Sequence, residues 1–434
     1  MNRYHRSLSC ILLLVIDMGT LSAYDNAHFY RATNFFYEPR IEREYLTTFD
    51  VIINTGSTQK GLNRCHDCVP LLDIYGVANM HELGIGVDKD LSNVYDLILT
   101  QLSLVPSRCL DKFCCSCNEP QQFATFSFDG EFECSEVILS YIQNFKSGTY
   151  LQLYVPFREL KIKNICRCDN SPQDAICPNI DTPIWKIFKN NFDQILAHHN
   201  LCVEPTTSSG IGDTAIILGW AHSFQNMEVL DFIDLDIKIG ILIPTGETKN
   251  QNSVFSLPLG YDGHTGGIIG AEMTFGLLDW LNFGGYFNTI VFANRDCCVR
   301  VKSGLEQSGF IKLAKTEARI EKGTQWQVGT YIKFDHFVRG LSLLFGYNFA
   351  NQNSDELTPC DTDKFPPSIV NSDESLKGWT MHTLNFILEY DFASQGSQFA
   401  PRIGVQYNLP IGGKRIFKTD MAGGMIGLDI SWEM

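Results

Sequence analysis

The sequence lacks most of what would mark a helical membrane protein, a nucleic-acid binder or an enzyme. Beyond its N-terminal segment there is no run of roughly 18 to 20 apolar residues, so no helix of it can cross a bilayer. Charge is sparse, at 19% of residues, and bases are the minority, with 34 Lys and Arg against 49 Asp and Glu and a net charge of −15. An acidic chain gains nothing from counterion release on a polyphosphate, which excludes nucleic acid as a partner. No G-x-S-x-G elbow, P-loop or dinucleotide fingerprint occurs. Nothing supplies a defined nucleophile or substrate pocket, so neither an enzyme nor a bound cofactor is expected.

What the chain does have is aromatic residues and glycine: 30 Phe, 16 Tyr and 35 Gly. These lean towards strands, and the pattern agrees. Successive side chains of a strand point to opposite faces. Ile233, Leu235, Ile237, Ile239 and Ile241 alternate with Asp234, Asp236, Lys238 and Gly240. The same period recurs at Ala271–Leu277, Trp326–Phe334, Leu343–Phe349, Leu384–Phe392, Ile403–Leu409 and Ile426–Trp432. Noisier strands fall near Tyr45–Asn54, Phe126–Tyr141, Tyr150–Phe157, Gly212–Ser223 and Phe283–Phe292. Segments of about ten residues suit a tilted strand crossing a bilayer, and lipid tolerates strands only in a closed sheet. The expected fold is therefore all-β: a single closed antiparallel transmembrane barrel of about 12 strands with long outer loops.

Connection lengths support this. Short turns such as Asn144–Gly148 and Phe337–Gly340 alternate with long segments such as Gly56–Gln122, Ile165–Ser209 and Asn351–Gly378. Two long segments carry helical patterns, at Leu91–Leu104 and Ile184–His199. Residues 1–23 read as a signal peptide: Arg3 and Arg6, an apolar Cys10–Ile16, then small residues ending at Ala23. Residues 24–44 are a periplasmic tail or a plug, and 45–434 form the barrel. This organisation implies an outer-membrane location, with the lipid bilayer, the outer-membrane assembly machinery and a small-molecule solute as partners. Trp280, Trp326, Trp379, Tyr390, Phe392 and Trp432 lie at strand ends, as interfacial aromatics do.

The inward polar positions are the candidate lumen and selectivity residues: Asp234, Asp236, Lys238, Glu272, Asp335, Glu389, Asp391, Arg402 and Asp429, with Asp50 and Lys333 beside them. Two readings stand side by side. Rings of carboxylates favour cations; alternatively the acids and bases pair and fill a narrow barrel. Fourteen cysteines fall outside the signal segment: Cys65, Cys68, Cys109, Cys114, Cys115, Cys117, Cys134, Cys166, Cys168, Cys177, Cys202, Cys297, Cys298 and Cys360. All map to the outer end, where oxidising conditions favour disulfides over zinc, and no metal is expected despite the C-x-x-C spacing of Cys65 and Cys68. His198 and His199 are adjacent, which is not the i, i+4 spacing of a helical metal pair.

Three short segments carry a family resemblance: Gly210-Ile211-Gly212-Asp213 at one strand start, Ile243-Pro244-Thr245-Gly246 at the next strand's end, and Ala400-Pro401-Arg402-Ile403-Gly404-Val405. These resemble the outer-membrane barrels of the meta-pathway of phenol degradation, relatives of the long-chain fatty-acid transporter barrels. The resemblance spans roughly Gly210 to Met434. It implies a channel for small, often apolar molecules. The expected function is thus passive passage of small solutes, with a surface-exposed adhesion protein anchored by its barrel as the alternative.

Overall fold

The computed structural model describes residues 45–87, 94–103, 124–171, 182–225, 230–278, 280–392 and 398–432. The expected signal segment, the 24–44 tail and five of the cysteines (Cys109, Cys114, Cys115, Cys117 and Cys177) lie outside the described residues. Twelve long strands build the barrel: β1 Leu46–Thr58, β2 Thr125–Asn144, β3 Thr149–Asp169, β4 Thr214–Gln225, β5 Phe232–Ile243, β6 Gly266–Leu278, β7 Leu281–Phe292, β8 Gln325–Val338, β9 Leu341–Gln352, β10 Trp379–Asp391, β11 Phe399–Lys414 and β12 Asp420–Ser431. Each pairs antiparallel with its sequence neighbours. The sheet closes where β1 pairs with both β12 (Leu46↔Ser431) and β2 (Thr47↔Gln143).

The face assignment follows the alternation. Ile237 and Ile239 of β5 are 45% and 56% exposed, while Lys238 between them is 1% exposed. A soluble sheet would bury the isoleucines and expose the lysine. The inversion, repeated at Leu218, Ile332, Val405 and Ile426, is that of a barrel whose outside meets lipid. No helix among the described residues is long and apolar enough to cross a membrane. The closed barrel with its apolar exterior is an outer-membrane protein. Trp280, Tyr390, Phe392 and Trp432 are exposed near strand ends, as interfacial aromatics should be. Trp379 departs from that expectation. It is buried with Leu62, Ala350, Met381 and Ile416, and its indole N–H donates to Gln352 Oε1 at 3.2 Å.

The outer loops form a folded cap. The β2–β3 ladder runs from Asn144↔Tyr150 to Phe126↔Asp169, well past the length a membrane needs. Its upper part pairs on the other side with Thr206–Ile211. Helices α1 (Val94–Ser103) and α2 (Thr182–His198) occupy the two loops where helical spacing was read. α2 packs Trp185, Phe188 and Phe192 against Phe126 at the top of β2. Leu71, Leu72, Phe255, Leu259, Ile311 and Phe417 join the same core, so α2 packs on several loops and not on its own alone. A second core holds Val299, Ala318, Leu357, Phe365 and Val370 around the small sheet of Arg295–Arg300, Lys315–Glu321 and Glu356–Pro359. The 351–377 segment is therefore packed structure where its Asp, Asn, Ser and Pro content suggests a solvated loop.

The segments that carry the family resemblance lock together. Asp213 Oδ1 accepts from the Gly246 amide at 3.0 Å and its Oδ2 from the Tyr261 amide at 2.5 Å. Thr245 Oγ1 donates to the Gly212 carbonyl at 2.6 Å and accepts from the Thr214 amide at 3.1 Å. The motif pins the 246–265 loop over the mouth of the barrel.

Candidate functional site

The barrel interior holds a charged network and a row of buried amides, which share strands β8, β10 and β11. The charged network centres on Arg402. Its guanidinium meets Asp50 at 2.8 Å, Asp429 at 3.2 Å and Glu389 at 3.5 Å, and Thr48 Oγ1 donates to Asp429 at 2.8 Å. Asp391 is buried opposite Arg402 in the β10–β11 register. Higher in the lumen Arg158 meets Glu136 at 3.1 Å with both side chains fully buried. Asn54 Nδ2 donates to the second Glu136 oxygen at 2.7 Å and in turn accepts from Gln406. Arg158 also reaches the Leu259 carbonyl of the cap at 3.3 Å. Along the next strands Tyr150 donates to Asp236 at 2.9 Å, and Lys238 lies 3.4 Å from the same carboxylate. Tyr331 donates to Glu272 at 2.5 Å. At the periplasmic rim Asp335 is bound by Lys333 at 3.0 Å and by Ser342 at 2.8 Å, and Asp234 is half-buried at the start of β5.

Small residues make this filling possible. A Cβ on Gly219 would collide with the Tyr150 ring, and one on Gly427 would collide with Asp50 and Arg402. The structure thus brings Asp50, Glu389, Arg402 and Asp429 together and Asp236 with Lys238. It places Glu272 and Asp335 in separate contacts.

The amide row comes from β7 to β11. Asn288 faces Gln327 across β7–β8, Asn348 faces Thr383 across β9–β10, and Asn385 faces Asn408 across β10–β11. Tyr286 donates to Asn348 Oδ1 at 3.0 Å and Asn385 donates to Asn408 Oδ1 at 2.5 Å. Even so, Asn288 Oδ1, both polar atoms of the Gln325 amide, Asn348 Nδ2, Thr383 Oγ1, Asn385 Oδ1 and Asn408 Nδ2 are buried with no hydrogen-bond partner among the described residues. The Glu136–Arg158 pair, the inward tyrosines and this amide row are absent from the sequence-based candidates. The amide row was legible as uncharged polar residues in the inward phase.

Above the lumen, under the cap, lies a cavity of about 240 Å³. Strand-end residues Gln352 and Trp379 line it, together with Lys249, Arg300, Lys312, Lys322 and Arg415 from the loops, against Asp262 and Asp355. Lys312 pairs with Asp373, Lys322 with Asp355 and Arg415 with Glu374. Arg300 donates to the carbonyls of Gln251, Leu313 and His199, and no described carboxylate meets it. Burial, with Lys312 nearby, pushes the Lys249 amine below its usual value. This chamber presents net positive charge.

The cysteines depart from the expected disulfides. Cys65, Cys68, Cys166, Cys168, Cys202, Cys297, Cys298 and Cys360 are free thiols. Strand geometry explains it. Cys166 and Cys168 share one face of β3 and face Asp129 and Ser127 across the ladder. Cys297 and Cys298 point to opposite faces and are registered with Ala318 and Glu317. Among these eight no thiol meets another at bonding range. Cys134 is buried within β2.

The fold defines the class, an outer-membrane β-barrel of twelve strands. No family model matches the chain, and no curated protein matches it. Among solved structures it is similar to an outer membrane channel from Pseudomonas putida F1, at 10% identity and a TM-score of 0.49, covering 92% of this chain and 100% of that one. It is also similar to a FadL homologue of Pseudomonas aeruginosa, at 8% identity and a TM-score of 0.29 over 88% of each chain. The toluene transporter TodX of Pseudomonas putida shares 8% identity at a TM-score of 0.29 over 89% of each chain.

Proposed function

We propose that this protein is an outer-membrane channel for small uncharged solutes that carry hydrogen-bonding groups. The observation that carries the reading is the amide row. Buried polar groups in proteins are nearly always paired, and each one left unmade costs about 1–3 kcal/mol. Six neighbouring inward residues with spare donors and acceptors make a surface to be satisfied by water or by a passing solute. Most of the charged residues are engaged by one another or by inward tyrosines and hydroxyls, so Asp236, Lys238, Glu272, Asp335, Glu389, Arg402 and Asp429 brace the passage, with Asp234 and Asp391 beside them. The cap chamber collects solute above it. Insertion by the outer-membrane assembly machinery belongs to the same reading.

Liposome swelling in glycerol tests it. Vesicles holding the wild-type barrel should swell faster than empty ones, and Gln325→Leu with Asn348→Leu should slow them several-fold. Ile239→Leu on the lipid face should change nothing. Wild-type vesicles that swell no faster than empty ones would overturn the channel reading.

A further inference from the structure

Outside the lumen, one cluster in the cap converges on a point that nothing in the barrel explains. Asp96 of α1 and His198 and His199 at the C-terminal end of α2 come from two different outer loops. The Asp96 carboxylate is buried, with a side chain 4% exposed. Its Oδ2 lies 3.6 Å from His198 Nε2 and its Oδ1 lies 3.6 Å from His199 Nε2. The ligand atoms of the three residues all lie within 4.8 Å of one another. At 3.6 Å neither imidazole is hydrogen-bonded to the carboxylate. His199 Nε2 is buried and has no hydrogen-bond partner among the described residues.

We infer that Asp96, His198 and His199 form a zinc site that clips α1 to α2. Zinc binds imidazole nitrogen and carboxylate oxygen at about 2.0–2.2 Å, so the edges of its tetrahedron are about 3.4 Å. The two observed separations, one to each carboxylate oxygen, are within a few tenths of an ångström of that edge. The helix end adds to the attraction, since the partial negative charge of its unpaired carbonyls favours a cation. Two nitrogens and one oxygen suit zinc better than calcium or magnesium, which take oxygen. His198 is about two-fifths exposed on its side chain, which leaves the fourth position open to solvent. The adjacency that disqualified this pair as a helical metal motif is answered by a ligand from another loop. Nearby, Tyr95 donates to Gln194 across the same helix pair, so the two helices already meet in register.

The experiment uses the whole protein in detergent after chelator treatment. Diethyl pyrocarbonate modification is read histidine by histidine by mass spectrometry, with and without added zinc. Zinc should protect His198 and His199 and leave His222 and His336 as reactive as before. Equilibrium dialysis should then show one equivalent of zinc fewer in Asp96→Asn and in His199→Ala than in the wild type. The free thiols bind zinc equally in all three, so the difference isolates this site. Equal modification of His198 and His199 with and without zinc would overturn the proposal, and that measurement needs no variant to fold.

Discussion

Arg402 Nη2 donates to Asp50 Oδ1 at 2.8 Å although 352 residues separate the two in sequence. They meet because β1 and β11 both flank β12, so the pair bridges the seam at which the sheet closes. Removing Arg402 would leave Asp50 and Asp429 buried without their cation. Breaking a buried ion pair from one side costs about 3–5 kcal/mol. Arg402→Met should therefore lower the urea midpoint of the refolded barrel sharply, and adding Asp50→Asn should restore part of it. A midpoint equal to wild type in the single variant would refute the bracing role.

Selectivity separates the two readings of the lumen acids. Asp236 is engaged by Tyr150 and Lys238, so its charge is largely cancelled where it sits. The reversal potential in a salt gradient should barely move in Asp236→Asn with Asp391→Asn. Lys249→Glu, in the chamber, should shift it towards cations, and the shift should shrink at high salt as screening sets in. A large shift from the double Asn variant would instead restore a cation-selecting ring.

Asp73, in the cap, predicts a pH response. Burial raises its carboxyl to about 6, against the partial relief of hydrogen bonds from Ser127 and the Phe128 amide. A raised acid favours the folded state when protonated. Its contribution is thus full below the ordinary value near 3.8 and fades as pH rises through about 6. The swing is on the order of 3 kcal/mol. Hydrogen exchange over residues 71–80, corrected for intrinsic rates, should show tighter docking at pH 5 than at pH 7.5. Asp73→Asn should flatten the difference.

The free thiols make a simple test. Cys68, Cys166, Cys168, Cys298 and Cys360 are exposed on the outer side. A membrane-impermeant maleimide should label them on intact cells without reductant. Labelling that appears only after reduction would return these residues to the expected disulfides.

The barrel was legible because its outside is apolar and its inside polar, so the period of two survives in β5 and in β8 to β12. It blurs in β2, where Ile138 and Ile142 face inward while Val137 and Tyr141 face lipid. There the apolar content of both faces hides the phase, and Glu136 goes unnoticed with it. Phase places Asp391, Arg402 and Asp429 inside, and strand direction puts Glu389 and Asp391 near one end. They could not say that Arg402 would be shared among Asp50, Glu389 and Asp429, since that depends on which strands become neighbours at the seam. Eight of the described cysteines misled for a related reason: their clustering in loops is a fact of sequence, while their separation is a fact of register. The Asp96 cluster was hidden because its members lie about a hundred residues apart, on helices whose docking is set by the aromatic packing around Phe126.

The cap core has a consequence for biogenesis. Leu71, Trp185, Phe255, Ile311 and Phe417 arrive from five separate outer loops, so the core cannot condense until the last hairpin has crossed the membrane. The cap is thus the last part of the protein to assemble, and it ties five hairpins together on one side of the membrane.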